Sequence, residues 1–353
     1  MFRFKAFVFL LICNSFSCSE SKILNPMSNG KFPLDISSNH WNSTKDCERC
    51  HKSISQSHQK SAHANAWKDP IFQIAFQKEP RQWCMNCHAP LHTFGPKFEF
   101  SKLIQSQPNK ETWAEGVNCA VCHVRDNEIY GKHNRDDIKD HRVIRDEVFS
   151  NNSLCNNCHL FHFPQKHFPE VEYTNVIMQG TGSESDRLIS KVTKTELCVN
   201  CHLKNNHKLN GTVFDLDWMD NWKVDVATTA KDKEHLVQLT LKFPKMGHKF
   251  PTGDLFRSLV FRIFDKNQNV ISEYRFERKM RLVDLYEIRD TRLSPNSDTK
   301  FTKSFLVKEI PDQCELVYHL QLPIEHELIG HLSEFGLKRK IFRDNCFKKT
   351  NKM

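Results

Sequence analysis

The stretch Cys119-Ala120-Val121-Cys122-His123 decides how this chain folds, because its Cys-x-x-Cys-His spacing occurs five times. The other copies are Cys47, Cys50 and His51; Cys84, Cys87 and His88; Cys155, Cys158 and His159; and Cys198, Cys201 and His202. Two thiols at this spacing lie on the same side of one helical turn, and with the adjoining histidine they form the attachment signature of haem c. Each thiol would bond one haem vinyl group, and the histidine would supply the proximal axial nitrogen.

Zinc sites and thioredoxin-like redox sites also use Cys-x-x-Cys pairs. One copy among 14 cysteines and 19 histidines would fit half of a zinc site equally well. In this chain, however, a histidine follows every Cys-x-x-Cys pair, which neither alternative requires. The pattern therefore predicts five covalent haem c groups as the cofactors.

The motifs recur with a nearly constant step. Their first cysteines are separated by 37, 35, 36 and 43 residues, which is typical of an array of similar units. Units this short form little hydrophobic core unaided, so the haems themselves are expected to be the core. We predict a mainly helical and irregular multihaem domain over residues 46–232, with a short helix at each motif and long loops between.

The N-terminus has the features of an export signal. Residues 1–17 combine basic Arg3 and Lys5 with a short apolar run that is too short to span a bilayer. Cys18 follows a small residue, as in a loose version of a lipoprotein cleavage site. Two alternatives remain: Cys18 is lipidated and holds the protein at the membrane surface, or the protein is simply secreted and Cys18 is a leftover thiol. Residues 18–45 predict a flexible tether. We expect an exported protein, either periplasmic or anchored as a lipoprotein.

The composition changes from residue 233 onward. Alternating apolar stretches predict strands over 236–243, 259–264, 270–276, 301–307 and 314–320. We predict a small antiparallel β-sandwich-like domain over residues 233–323. Residues 324–353 predict a C-terminal helix, from the spacing of Leu328, Leu332 and Phe335, and a basic tail. Cys314 and Cys346 form either a disulfide or two free thiols.

Several stretches resemble the multihaem cytochrome family that includes the tetrahaem electron acceptor of hydroxylamine oxidoreductase. They are Cys47–Trp67 with Ser61-x-His63-Ala64, Cys87-His88-Ala89-Pro90-Leu91, Glu115–His123, Asp140-His141-Arg142-Val143 and Gly247-His248-Lys249-Phe250-Pro251-Thr252-Gly253. The resemblance covers residues 46 to about 255. It implies haems with two axial histidines each and a role in electron transfer.

Fourteen histidines remain after the five proximal ones. Five low-spin haems need five distal ligands, so a histidine outside the motifs is more often not a ligand. The candidates for the distal metal ligands are His63, His92, His141, His207 and His248. Reserve candidates are His133, His162 and His167.

The formal net charge of +9 does not indicate a nucleic-acid partner, because five haems would add about ten propionate groups. We predict an electron carrier between redox partner proteins outside the cytoplasmic membrane, with no catalytic residues. The alternative is an enzyme, a haem-dependent oxidoreductase of a small nitrogen or sulfur compound with one open haem site. The sequence lacks the Cys-x-x-Cys-Lys variant that marks the active haem of pentahaem nitrite reductases, which favours the carrier.

Overall fold

The computed structural model describes residues 43–78, 80–91, 113–125, 127–166, 172–189, 198–203, 207–209, 221–294, 299–320 and 337–346. The predicted signal peptide, Cys18 and nearly all of the predicted tether lie outside these ranges. So do His92 and His167, two of the candidate or reserve ligands.

Short helices occur at the motifs, as the sequence predicts. The helices are α1 (Thr44–Glu48), α2 (Lys52–Gln59), α3 (Pro70–Lys78), α4 (Gln82–His88), α5 (Cys119–His123), α6 (Ser153–His159), α7 (Thr181–Ile189) and α8 (Cys198–His202). Four of them end on a motif histidine, whereas α1 ends before Cys50 and His51. Within the described ranges, no helix is long and apolar enough to cross a membrane.

Polar caps explain where several of these helices begin. Ser43 and Asp46 form a reciprocal capping box at α1. Asn118 accepts hydrogen bonds from two backbone N–H groups at the start of α5. At α3 the Asp69 carboxylate caps the first turn and Pro70 supplies a helical backbone angle.

The haem region contains more strand than the sequence analysis predicts. Strands β1 (Val124–Arg125), β2 (Glu128–Gly131) and β3 (Val143–Arg145) form a small sheet after α5. Strands β4 (Phe161–Lys166) and β5 (Glu172–Gln179) form an antiparallel hairpin after α6. The prediction of a mainly helical and irregular domain is thus wrong in this respect. These strands could not be predicted from the sequence, because they are short or interrupted by bulges and have little regular alternation of apolar and polar residues.

The C-terminal region is an antiparallel sandwich of two sheets, with the orders β12-β7-β6 and β14-β13-β8-β9. Its strands are β6 (Lys223–Lys231), β7 (Glu234–Lys242), β8 (Arg257–Phe264), β9 (Val270–Phe276), β12 (Lys300–Val307), β13 (Gln313–Leu320) and β14 (Leu337–Asn345). A separate hairpin is formed by β10 (Arg278–Arg281) and β11 (Tyr286–Asp290). All five predicted strands are present, within a few residues of their predicted bounds.

The inward-facing side chains of both sheets form one hydrophobic core, which includes Leu239, Leu259, Phe261 and Leu316. Ile71 of α3 packs against this core, so the haem region and the sandwich are in direct contact. The buried Trp222 and strand β6 belong to the sandwich. The boundary predicted at residue 233 is therefore wrong, because it divides the β6–β7 hairpin.

The C-terminal tail is also a strand where the structure describes it. Residues 337–345 form β14, which pairs with β13, and not the predicted helix. Leu328, Leu332 and Phe335 lie outside the described ranges. Cys314 and Cys346 form a buried disulfide that joins β13 to the residue after β14, which decides between the two alternatives that the sequence left open.

Candidate haem sites

A cavity of about 2130 Å³ lies between the motif helices and the edge of the sandwich. Pockets for one ligand usually measure about 300–1,000 Å³, so this space is large enough for several large groups. All ten motif cysteines and all five motif histidines line it. In the described part of the chain these cysteines form no disulfides. We number the motifs sites 1 to 5 in chain order.

Four motif histidines each face a second histidine across the cavity, with ring centres 6.1 to 6.3 Å apart. The pairs are His51 with His141, His63 with His159, His123 with His207, and His202 with His248. Two imidazoles on opposite sides of one metal, with bonds of about 2.0–2.1 Å, place their ring centres roughly 6 Å apart. The spacing of the four pairs is therefore that of axial ligands to one metal.

Site 2 differs from the other four. The ring of His88 stacks on Phe72, with ring centres 3.6 Å apart and 5° between the planes. Within the described ranges no second histidine ring faces His88 in the manner of the four pairs. The distal candidate His92 lies outside these ranges.

The remaining described histidines have other surroundings. The reserve candidate His133 is exposed, and His162 lies on β4. His58 is buried, and its Nε2 lies 2.9 Å from the carbonyl oxygen of Val117. Because Nε2–H donates to that carbonyl, His58 is a structural residue that ties α2 to the segment before α5.

Backbone carbonyls orient several of the cavity histidines through Nδ1. The distances are 2.8 Å from His88 to Ala66, 2.8 Å from His123 to Tyr130, 3.2 Å from His141 to Arg142 and 2.9 Å from His248 to Lys249. A donating Nδ1–H fixes the tautomer and leaves the Nε2 lone pair for a metal. Metal-binding histidines in proteins usually donate their other ring N–H in this way.

Burial keeps several of the cavity histidines neutral. It lowers the pKa of His63 to about 3, with a further contribution from the nearby His159. Burial likewise lowers the pKa of His159 to about 4, with His202 and Arg257 acting in the same direction. Burial also lowers the pKa of His248. Only a neutral imidazole can donate a lone pair to a metal, so the environment favours the ligating form.

Thiols of different motifs lie next to one another. Each of three pairs of thiols, Cys47 with Cys119, Cys87 with Cys158, and Cys155 with Cys198, is close enough for one thiol to shift the pKa of the other. Burial raises the pKa of Cys122, and the nearby Cys158 acts in the same direction. Site 3 is thus adjacent to sites 1 and 4, and site 4 is adjacent to sites 2 and 5.

Comparison with known proteins agrees with this geometry. The family of cytochrome c554 and c-prime matches residues 46–124. The cytochrome c-type protein NrfB of Escherichia coli O6:H1 is 26% identical over 144 residues, which cover 38% of this chain and 71% of NrfB. The crystal structure of a penta-heme cytochrome c552 from Thermochromatium tepidum superposes with a TM-score of 0.62 at 18% identity, covering 86% of this chain and 98% of that one.

The chain is a multihaem c-type cytochrome. Covalent haem c fits the motif cysteines, which form no disulfides among the described residues, the apolar cavity and the histidines whose Nδ1 contacts a carbonyl. Because the match covers 86% of this chain, it includes residues of the sandwich as well as of the motif region.

A short segment before α5 holds sites 1 and 3 of the cytochrome together. The Glu115 carboxylate accepts hydrogen bonds from the Ser43 hydroxyl at 2.6 Å, the Thr44 backbone N–H at 2.8 Å and the Asn118 side chain at 2.7 Å. These contacts join the start of α1 to the cap of α5. The three donors lower the pKa of Glu115 in spite of its partial burial, which acts in the opposite direction.

The same segment positions His63. Gly116 has a φ of +59°, and a Cβ on it would lie 2.5 Å from the carbonyl oxygen of His63. The backbone N–H of Val117 donates to that same carbonyl at 2.9 Å. Only glycine allows this close approach at a left-handed backbone angle. Gly116 therefore helps to hold His63 opposite site 4. It belongs to the Glu115–His123 stretch that resembles the multihaem cytochrome family.

A network of ion pairs holds the loop that carries His248. Glu184 of α7 accepts hydrogen bonds from the Lys249 backbone and the Thr252 hydroxyl, at 3.2 and 3.1 Å, and pairs with Arg292 at 2.8 Å. Asp290 pairs with both Lys249 and Arg292 at 2.7 Å. The loop therefore contacts the haem region through charged groups that are largely buried. The network could not be predicted from the sequence, because its members are far apart in the chain.

Proposed function

We propose that the protein is a pentahaem electron carrier in which each of the five motifs binds one haem c. The observation that carries the proposal is the set of four histidine pairs at 6.1 to 6.3 Å within one cavity lined by all five motifs. Bound haem supplies reversible one-electron chemistry at iron. The chain supplies the thiols, the axial nitrogens and an apolar surrounding with little water.

The axial ligands follow from the pairs. We assign His141 as the distal ligand at site 1, His207 at site 3, His63 at site 4 and His248 at site 5. For site 2 we retain His92, the sequence-based candidate, opposite His88. Phe72 stacks on His88, and the Ala66 carbonyl accepts its Nδ1–H, so the chain fixes the orientation of that imidazole.

The adjacency of the motifs suggests the order in which electrons would pass. Sites 1, 3 and 4 form a continuous series, and sites 2 and 5 both adjoin site 4. Site 4 would thus be the junction of a branched array. Redox partner proteins would exchange electrons at the outer members, which are sites 1, 2 and 5.

The second candidate is an oxidoreductase of a small nitrogen or sulfur compound, and site 2 is where it would differ from a carrier. Its proximal His88 has surroundings unlike those of the four paired histidines. A carrier needs two protein ligands at each haem, whereas an enzyme needs one position open to substrate.

The spin state of the iron distinguishes the two functions. We expect the fully loaded, oxidised protein to give a wholly low-spin absorption and electron paramagnetic resonance spectrum that nitrite and hydroxylamine leave unchanged. A high-spin fraction that shifts on addition of either compound would favour the enzyme. A matched His92→Ala variant should create such a fraction if His92 is the sixth ligand at site 2.

We also propose that the protein is exported and lipidated at Cys18, so that the cytochrome is held at the membrane surface outside the cytoplasm. The basic N-terminus, the short apolar run and the small Ser17 support this. Processing sensitive to globomycin and partition into detergent are the expected results. A water-soluble mature protein with an unmodified N-terminus would contradict lipidation.

A further inference from the structure

A polar cluster interrupts the apolar wall of the cavity on the side of the β domain. It consists of Asp254, Arg257 and Tyr318, which all line the cavity. Nε of Arg257 donates to the Asp254 carboxylate at 2.8 Å, and the Tyr318 side chain lies close to the guanidinium. The side chain of Arg257 is 25% accessible. An arginine in this position has donors to offer a ligand inside the cavity.

The turn before β8 is shaped around this guanidinium. Gly253 has a φ of +108°, and a Cβ on it would lie 3.0 Å from Nε and 3.2 Å from Cζ of Arg257. The second oxygen of Asp254 accepts the backbone N–H of Phe256 at 2.9 Å, which orients the carboxylate. The turn and the Asp254 carboxylate therefore give the guanidinium a fixed position, which a flexible arginine at the surface would lack.

The cluster lies near sites 2 and 4. Arg257 is among the groups that lower the pKa of His159, after burial and His202. Burial lowers the pKa of His88, and the nearby Asp254 acts to raise it. Both histidines are proximal ligands in the proposed function, so the positive charge is close to the space that two haems would occupy.

We propose that Arg257 is an oxyanion-binding residue of the haem cavity, whose ligand is a carboxylate or a similar planar oxyanion. The inference rests on the haem occupancy proposed above. A guanidinium has five N–H donors in a planar fork that matches a carboxylate, and Asp254 accepts from only one of them at Nε. The ligand is either a propionate of a bound haem or a small free oxyanion such as nitrite.

A fixed positive charge beside a haem disfavours the ferric state relative to the ferrous state. Removing it should lower the reduction potential of the haem concerned. A fall in the potential would show that the charge of Arg257 acts on a haem, which the loss of an uncharged packing contact would not do, and the response to nitrite then identifies the ligand.

The test is a spectroelectrochemical titration of the full-length, haem-loaded protein and its Arg257→Gln variant, each with and without sodium nitrite. Arg257→Lys keeps the charge and should restore most of the potential. Arg262→Gln is the matched control, because Arg262 lies on the same strand, pairs with Glu273 at 2.7 Å and is not part of the cavity wall. Asp254→Asn removes a negative charge from the cluster and should shift the same midpoint upward.

A propionate ligand predicts that Arg257→Gln lowers at least one midpoint without nitrite, and that nitrite has no effect. A free oxyanion predicts a nitrite-dependent change in the wild type that Arg257→Gln abolishes. If Arg257→Gln does not load haem, the Asp254→Asn variant decides. An upward shift of its midpoint potential supports the proposal, and an unchanged midpoint potential overturns it. Unchanged midpoints in all variants that load fully would likewise overturn the role of Arg257, whereas incomplete loading of the wild type would count against the proposed function.

Discussion

At the scale of single residues, the sites depend on histidines that other groups hold in place. His248 shows this most clearly. It lies in the β domain, faces His202 at 6.2 Å with nearly parallel rings, and donates from Nδ1 to the Lys249 carbonyl. Burial lowers its pKa. The neutral imidazole thus extends from one domain toward a motif of the other.

We predict that His248→Ala keeps all haems attached, because the thioether bonds do not involve it, but converts one haem to a high-spin or water-ligated form. Absorption and electron paramagnetic resonance spectra would measure the change. The exposed His133 provides the control, and His133→Ala should leave the spectrum unaltered. A wholly low-spin spectrum of His248→Ala would show that His248 is not a ligand.

Gly116 gives a second prediction at this scale. Gly116→Ala places a methyl group against the His63 carbonyl, where an ideal Cβ lies 2.5 Å away, and does so at a left-handed backbone angle. We expect a loss of about 1–3 kcal/mol in the free energy of unfolding and weaker ligation at site 4. Denaturant titration followed at the Soret band would measure both.

Gly180→Ala is the control for Gly116→Ala, since Gly180 has no left-handed backbone angle and a Cβ there meets only side-chain atoms, the nearest 3.3 Å away on Ile177. It should change the unfolding free energy by less than about 0.5 kcal/mol. Equal stability of the two variants would mean that the approach of residue 116 to the His63 backbone is not required.

At the scale of secondary-structure elements, the motif helices are too short to be stable alone, and contacts between them determine their positions. Glu115 joins α1 to α5 through three hydrogen bonds. A carboxylate with several donors has a lower pKa in the folded than in the unfolded protein. Its stabilising effect is therefore full above the unfolded pKa of about 4.3 and is lost as the pH falls through the folded value.

We predict that Glu115→Gln lowers the free energy of unfolding at pH 7 by roughly 1–2 kcal/mol. The difference from the wild type should shrink as the pH falls below about 4, where the wild-type carboxylate is protonated as well. Glu128→Gln is the control, because Glu128 forms only an exposed pair with Arg142. A difference that stays constant with pH would contradict an ionised Glu115 as the source of the effect.

The sequence predicted some of these elements and not others for identifiable reasons. Covalent attachment of haem requires a fixed spacing, so the five motifs were visible directly. Strands such as β7 and β8 carry large apolar residues in alternation. Strand β6 escaped prediction because Ala227-Thr228-Thr229-Ala230 has no large apolar side chain. Residues 337–345 of the tail pair with β13, where a sheet edge and a disulfide are available, whereas the residues whose apolar spacing predicted a helix lie outside the described ranges.

The partners of the distal candidates could not be predicted from the chain order. His63 follows site 1 in the sequence, yet it faces His159 of site 4. That arrangement depends on the contact between Gly116 and the His63 backbone, which joins segments far apart in sequence. The Arg257 cluster was equally invisible, because it combines a turn, a strand start and a residue of β13.

At the scale of the whole molecule, the protein has two kinds of core. The sandwich has an ordinary hydrophobic core shared by its two sheets, whereas the motif region surrounds a large apolar cavity. Fewer than 40 residues separate most motifs, which is too little chain for an independent core at each site. The proposed haems would fill that space, so folding of this region and haem attachment would be linked.

Binding of haem c at all five motifs would be visible in the mass of the intact mature protein. Denaturing conditions unfold the chain and break the bonds between histidine and iron, but they leave the thioether bonds intact. We predict a single dominant species that carries five haem masses. A fully matured sample that carries four or fewer would contradict haem binding at all five motifs.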